Sequence, residues 1–119
     1  MEAEKQLRIR ILFGQEIAIG PGKLSLLKAI LSTGSISAAA RNMGMSYRRA
    51  WLLVDTMNRC FREPLVVGSP GGKGGGGATV TEFGHLVIDT YVNMEAKATS
   101  AVRHEVANFN LLLSPDSRK

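Results

Sequence analysis

Residues 35–61 read SISAAARNMGMSYRRAWLLVDTMNRCF, and the whole chain is organised around them. The stretch predicts two helices joined by a very tight turn. Ser37 is placed to cap the first, Ala38, Ala39 and Ala40 are strong helix formers, and Gly44 falls where a helix ends on a left-handed residue. Ser46 then caps a second helix that opens with Tyr47, Arg48, Arg49, Ala50 and Trp51, and no proline interrupts it until Pro64.

At 3.6 residues per turn the second helix puts Ala50, Val54, Met57 and Phe61 on one stripe. Arg48, Leu52, Asp55, Arg59 and Arg62 fall roughly opposite, so one side is core and the other wet. Short helix, glycine turn and polar-capped helix form the pattern of a helix-turn-helix, whose second helix enters the major groove and reads base edges with its first residues. Here those residues are Ser46, Tyr47, Arg48 and Arg49, which offer donors for guanine edges and phosphates at a helix end that itself favours an anion. Any amphipathic helical hairpin with a solvated basic face shares this pattern.

The chain's 119 residues suit one domain. A net charge of +5 favours polyanionic partners without identifying one. The single cysteine, Cys60, falls inside the second helix, so neither a disulfide framework nor a multi-cysteine zinc site can be assembled. No apolar run reaches the length of a membrane span, and MEAEKQLR lacks the apolar core of a signal peptide. A cytoplasmic protein away from the membrane is expected.

Residues 7–19 alternate in the manner of strands, with Gly14-Gln15 as a two-residue hairpin turn. Alternation makes Arg8 and Arg10 a solvated strand face more simply than a phosphate site. After Gly20-Pro21-Gly22, apolar Leu24, Leu27, Ile30 and Leu31 recur at helical spacing up to Thr33-Gly34. Beyond Pro64, two β-prone pieces, Leu65-Val66-Val67 and Ala78-Thr79-Val80-Thr81, flank SPGGKGGGG at 69–77. Such a glycine-rich loop between antiparallel strands is a wing, and its one charge, Lys73, can approach a DNA backbone closely. Phosphate-loop chemistry is disfavoured, because Gly74 occupies the place of the magnesium-binding hydroxyl and the next segment is strand-like. A plain flexible linker is the remaining reading of this run.

Thr81 caps a last helix expected to run from Glu82 to about Phe109, with Phe83, Val87, Tyr91, Met94, Ala98, Ala101 and Val102 at near-heptad spacing. So long an apolar stripe suits dimerisation, which pairs two reading heads on a two-fold site; folding back onto its own core is the alternative. The polar tail SPDSRK is expected to be disordered. No catalytic constellation emerges. His85 and His104 would stand roughly 28 Å apart on one helix, and Asp55 and Glu63 sit among arginines as salt-bridged faces do. No enzyme activity, metal or cofactor is expected.

The run SLLKAILSTGSISAAARNMGMSYRRAWLLVDTMN (residues 25–58), followed by EPLV, GGKGGGGA and TEFG, resembles the N-terminal DNA-binding domain of the ModE family of molybdate-responsive transcriptional regulators. The likeness extends over residues 23–91 and is far more specific than a generic helix-turn-helix. It implies a winged helix-turn-helix that dimerises through its terminal helix, with residues 46–51 opening the recognition helix and 69–77 forming the wing. Full-length members of that family carry C-terminal oxyanion-binding domains that sense molybdate, whereas this sequence stops at Lys119. Three arrangements follow: a regulator without ligand control, one whose sensor is a separate protein, or one that answers another signal.

The expected fold is therefore mainly α with small β: a winged helix-turn-helix over residues 1–81 with an N-terminal β-hairpin, a long C-terminal dimerisation helix over 82–110, and a tail over 111–119. The expected function is sequence-specific binding of double-stranded DNA by a dimeric transcriptional regulator. Ser46, Tyr47, Arg48 and Arg49 approach bases and phosphates, Lys73 the backbone, Ser37 and Arg41 the flanking phosphates, and Trp51 either DNA or the first helix. A small molybdate or oxyanion carrier, using the glycine-rich loop, and a protein-interaction module are the rival readings.

Overall fold

The computed structural model describes residues 7–69 and 77–115. The order of elements is β1 (Ile11–Phe13), β2 (Glu16–Ile19), α1 (Pro21–Thr33), α2 (Ile36–Asn42), α3 (Tyr47–Cys60), β3 (Val66–Ser69), β4 (Gly77–Val80), α4 (Glu82–Ala101) and α5 (Arg103–Asn110). The strands form two separate antiparallel pairs, β1 with β2 and β3 with β4.

The first hairpin turns where the spacing predicts. Phe13 pairs with Glu16, leaving Gly14 at φ 63 and Gln15 as the turn. Its register slips between Ile11 and Leu12, and residues 7–10 lie outside the strand, so the alternation of the sequence overstates its length. In place of a longer ladder, the Ile9 carbonyl accepts a hydrogen bond from the Tyr91 hydroxyl of α4.

Helix α1 opens with Pro21 in its first turn and ends on Gly34 at φ 79, whose N–H donates to the Ile30 carbonyl at 2.8 Å. It packs against β2, α2, α3 and β4. Being covered on several sides widens its buried face: Leu26 joins Leu24, Leu27 and Ile30 inside, while Leu31 stays exposed. The cap of α2 also departs from the expectation. Ser35, not Ser37, is the N-cap, its Oγ accepting the Ala38 N–H at 2.9 Å. The left-handed Gly34 delivers Ser35 in an extended conformation, so the helix starts early and Ser37 falls inside its first turn.

Gly44 at φ 68 closes the α2–α3 turn as expected, and Ser46 caps α3 by accepting the Arg49 N–H at 3.1 Å. Ala50, Val54 and Met57 carry α3 into the core, where Leu26, Leu27, Ile30, Met57 and Leu65 are the largest fully buried side chains. The last helix is two helices. Its ladder is interrupted at Val102, with φ −113 and ψ 23, in the run Thr99-Ser100-Ala101-Val102, whose β-branched and hydroxyl side chains are mediocre helix formers. Gly84, Ile88 and Tyr91 of α4 are buried, whereas α5 buries nothing. The expectation of a disordered tail concerns residues 111–119, of which 116–119 lie outside the described residues.

Candidate nucleic-acid interface

Helix α3 is held on two sides. On one, the Gly44 turn fixes it against α2, with the Met45 N–H donating to the Ala40 carbonyl at 3.0 Å. On the other, Asn58 clamps it to the second hairpin. Its Oδ1 accepts the N–H groups of Leu65 and Val66 at 2.8 and 3.3 Å, and its Nδ2 donates to the Val66 carbonyl at 3.0 Å. That hairpin is anchored a second time through β4, where the Ala78 N–H donates to the Gly34 carbonyl at 2.9 Å and Gly77 pairs with Ser35. Thr81 completes the frame, capping α4 at the Gly84 N–H and donating to the Pro64 carbonyl, both at about 2.9 and 2.8 Å. The sequence reading did not single out Asn58; a lone amide at the edge of the polar face was its only signal.

This frame leaves the first turn of α3 in solvent. Ser46, Tyr47, Arg48, Arg49 and Trp51 are all exposed, and the axial dipole of the helix adds partial positive charge where the two arginines begin. Among the described residues the one ion pair is Asp55 with Arg59, at 3.1 Å. The hydrogen bond and charge of Asp55 raise the pKa of the Arg59 guanidinium. Asp55 thus answers Arg59 and leaves Arg48 and Arg49 without a carboxylate. Arg41 and Ser37 are exposed together on α2, the guanidinium donating to the Ser37 Oγ at 3.5 Å, so Ser37 keeps its own hydroxyl proton for another acceptor.

Two placements add to the expected set. Arg10 and Lys23 share a hollow with Arg49 beside the start of α1, which joins the first hairpin to the basic face where alternation suggested only a solvated strand. Trp51 lines a hollow with Tyr47, with Ile36 at the start of α2 and with the Val66-Val67-Gly68 stem of the second hairpin, and is itself exposed. Lys73, proposed at the wing tip, lies outside the described residues. No group of three or more His, Cys, Asp or Glu side chains that could hold a metal ion occurs among the described residues. Likewise, no described helix is long and apolar enough to cross a membrane.

A helical hairpin followed by a two-stranded wing and a further helix is a winged helix-turn-helix. The solved structure titled as the complex of the CbnR DNA-binding domain with DNA shares this fold, with a TM-score of 0.56 at 19% identity, covering 73% of this chain and 95% of that one. Sequence comparison narrows the class. The chain is 37% identical to the DNA-binding transcriptional dual regulator ModE of Escherichia coli (strain K12) over 122 residues, 99% of this chain and 46% of that protein. It is 43% identical to the molybdenum-pterin-binding protein MopB of Rhodobacter capsulatus over 93 residues, 78% of this chain and 34% of MopB. No family model matches. The chain spans less than half the length of these curated relatives, and over 99% of its own length it is similar to part of ModE.

Proposed function

We propose that this chain is a sequence-specific DNA-binding transcriptional regulator, without catalytic activity, that acts in the cytoplasm as a homodimer. The observation that carries the reading is the rigidly framed, Ser46-capped start of α3, with Tyr47, Arg48 and Arg49 exposed and neither arginine neutralised. Arg48 and Arg49 take guanine edges and adjacent phosphates, Ser46, Ser37 and Arg41 take flanking phosphates, and Arg10 and Lys23 extend the backbone contacts to the first hairpin. Lys73 takes the backbone from the wing. The dimer reading is supported by the far side of the molecule. An apolar hollow of about 270 Å³ lies between β1, β2, the end of α3 and α4, lined by Phe61, Leu86, Tyr91 and Met94, and α5 with the turn after it exposes Phe109, Leu111 and Leu112.

The test is retention of random genomic duplexes at two salt concentrations, with and without molybdate. Counterion release predicts a steep fall in affinity with salt and recovery of a two-fold-symmetric sequence. Arg48→Ala then lowers discrimination between sites by about 1–3 kcal/mol, whereas Lys23→Ala weakens every duplex alike and flattens the salt slope by about one unit. Salt-independent retention, or molybdate bound with no duplex enriched, would overturn the reading in favour of an oxyanion carrier.

A further inference from the structure

The basic groups of the candidate interface surround a patch that is not basic. Tyr47 and Trp51 stand one turn apart on α3, 56% and 46% exposed, and Val67 of β3 faces the same hollow at 42%. Neither aromatic ring is paired with another, and Trp51 donates no hydrogen bond within the protein among the described residues. The hollow, about 300 Å³, lies between the recognition helix and the stem of the wing, with no charged side chain lining it. Arg48 and Arg49 leave the same helical turn in other directions. The hollow mixes the polar Asn58 and strand backbone with the exposed rings of Tyr47 and Trp51 and the side chain of Val67, an apolar edge that is useful where the ligand itself presents methyl groups amid charge.

Resting on the DNA reading above, we infer that Tyr47 and Trp51 form an apolar reading surface for the 5-methyl groups of thymine in the major groove. Of the groups that distinguish base pairs there, the thymine methyl is the apolar one, and it is recognised by apolar contact, not by a hydrogen bond. The arginines beside the patch hold the phosphates and guanine edges, so the duplex is complementary in charge to the rim and in polarity to the centre. A protein partner would instead need an apolar knob carried by an acidic surface, for which nothing in the structure argues.

Thymine can be stripped of this methyl with no other change by replacing it with deoxyuridine. The best duplex from a random library is compared with versions bearing deoxyuridine at single thymines of the selected half-site. The native chain is expected to bind at least one such duplex about fourfold more weakly, the value of one buried methyl-sized group. Trp51→Ala and Tyr47→Ala, both at half-exposed positions, are expected to remain folded and to bind thymine and deoxyuridine duplexes alike. Equal binding of all duplexes by the native chain overturns the inference and leaves DNA reading intact. So does a deoxyuridine penalty that survives unchanged in both variants, because it then comes from duplex shape. Absence of salt-dependent duplex binding overturns the parent reading itself.

Discussion

Asn58 of α3 and Val66 of β3 exchange hydrogen bonds in both directions, the side-chain amide donating to the Val66 carbonyl at 3.0 Å and accepting its N–H at 3.3 Å. With the Leu65 N–H at 2.8 Å, one side chain satisfies three backbone groups at the root of the wing. Asn58 thus ties α3 directly to the second hairpin, beside the Ala78–Gly34 bond that anchors the same hairpin through β4. Asn58→Ala leaves those groups partly unsatisfied and is expected to cost roughly 2–3 kcal/mol in urea unfolding. Duplex affinity should fall with it, even though Asn58 touches no DNA in this reading. A variant as stable as the native chain and equally tight on DNA would show that the wing is held elsewhere.

Gly84 makes a similar demand for a different reason. A Cβ at this position would sit 2.5 Å from the Leu65 carbonyl oxygen and 2.7 Å from Val80 Cγ1. Helix propensity favours alanine over glycine by about 1 kcal/mol, yet the Leu65 carbonyl cannot retreat, because it accepts the Thr81 N–H at 2.9 Å. Overpacking is expected to win, and Gly84→Ala to lower stability by about 1–3 kcal/mol. Thermal melting decides the sign.

Tyr91 ties α4 to the first hairpin through the Ile9 carbonyl. Burial, and then the nearby Glu95 carboxylate, raise the pKa of its hydroxyl. Because the folded value is the higher one, the contribution is fully present below the ordinary tyrosine range and is lost as pH rises through the folded value, above about 10. Tyr91→Phe is expected to lose about 1 kcal/mol at neutral pH and to show a shallower alkaline decline than the native chain. Parallel pH profiles would remove Tyr91 as the source of that decline.

The proposed dimer is tested at Leu86 and Phe109, both well exposed within one chain. Leu86→Glu and Phe109→Glu are expected to shift sedimentation toward the monomer and to weaken binding to a two-fold site far more than to a half-site. Because neither side chain contributes to the core, the far-UV circular dichroism should be unchanged. Native sedimentation as a monomer at tens of micromolar would end the proposal.

Most of the architecture was legible because local signals agreed. Gly14, Gly34 and Gly44 marked three positive-φ positions, Ser46 and Thr81 marked two caps, and periodicity gave the buried stripe of α3. The failures lie where two neighbouring signals compete or where partners are remote. Ser35 and Ser37 are equivalent caps on paper, and only the left-handed Gly34 chooses between them. The break at Val102 reflects small propensity deficits spread over several residues, which no single residue announces. Asn58 meets its partners through a chain reversal, and Arg10 lines one hollow with Arg49 across elements, so neither relation exists at the level of spacing. The basic face of α3 could be read; which of its charges were already neutralised could not.

Trp51 is the one tryptophan of the chain, and it stands half in solvent beside the first turn of α3. Its intrinsic fluorescence accordingly reports on that face and on no other part of the molecule. Association through α4 and α5 should leave the emission untouched, whereas anything that covers the start of the recognition helix should dry the indole and alter its emission. The protein carries its own optical probe, positioned so that occupancy of the two faces can be followed separately without a label.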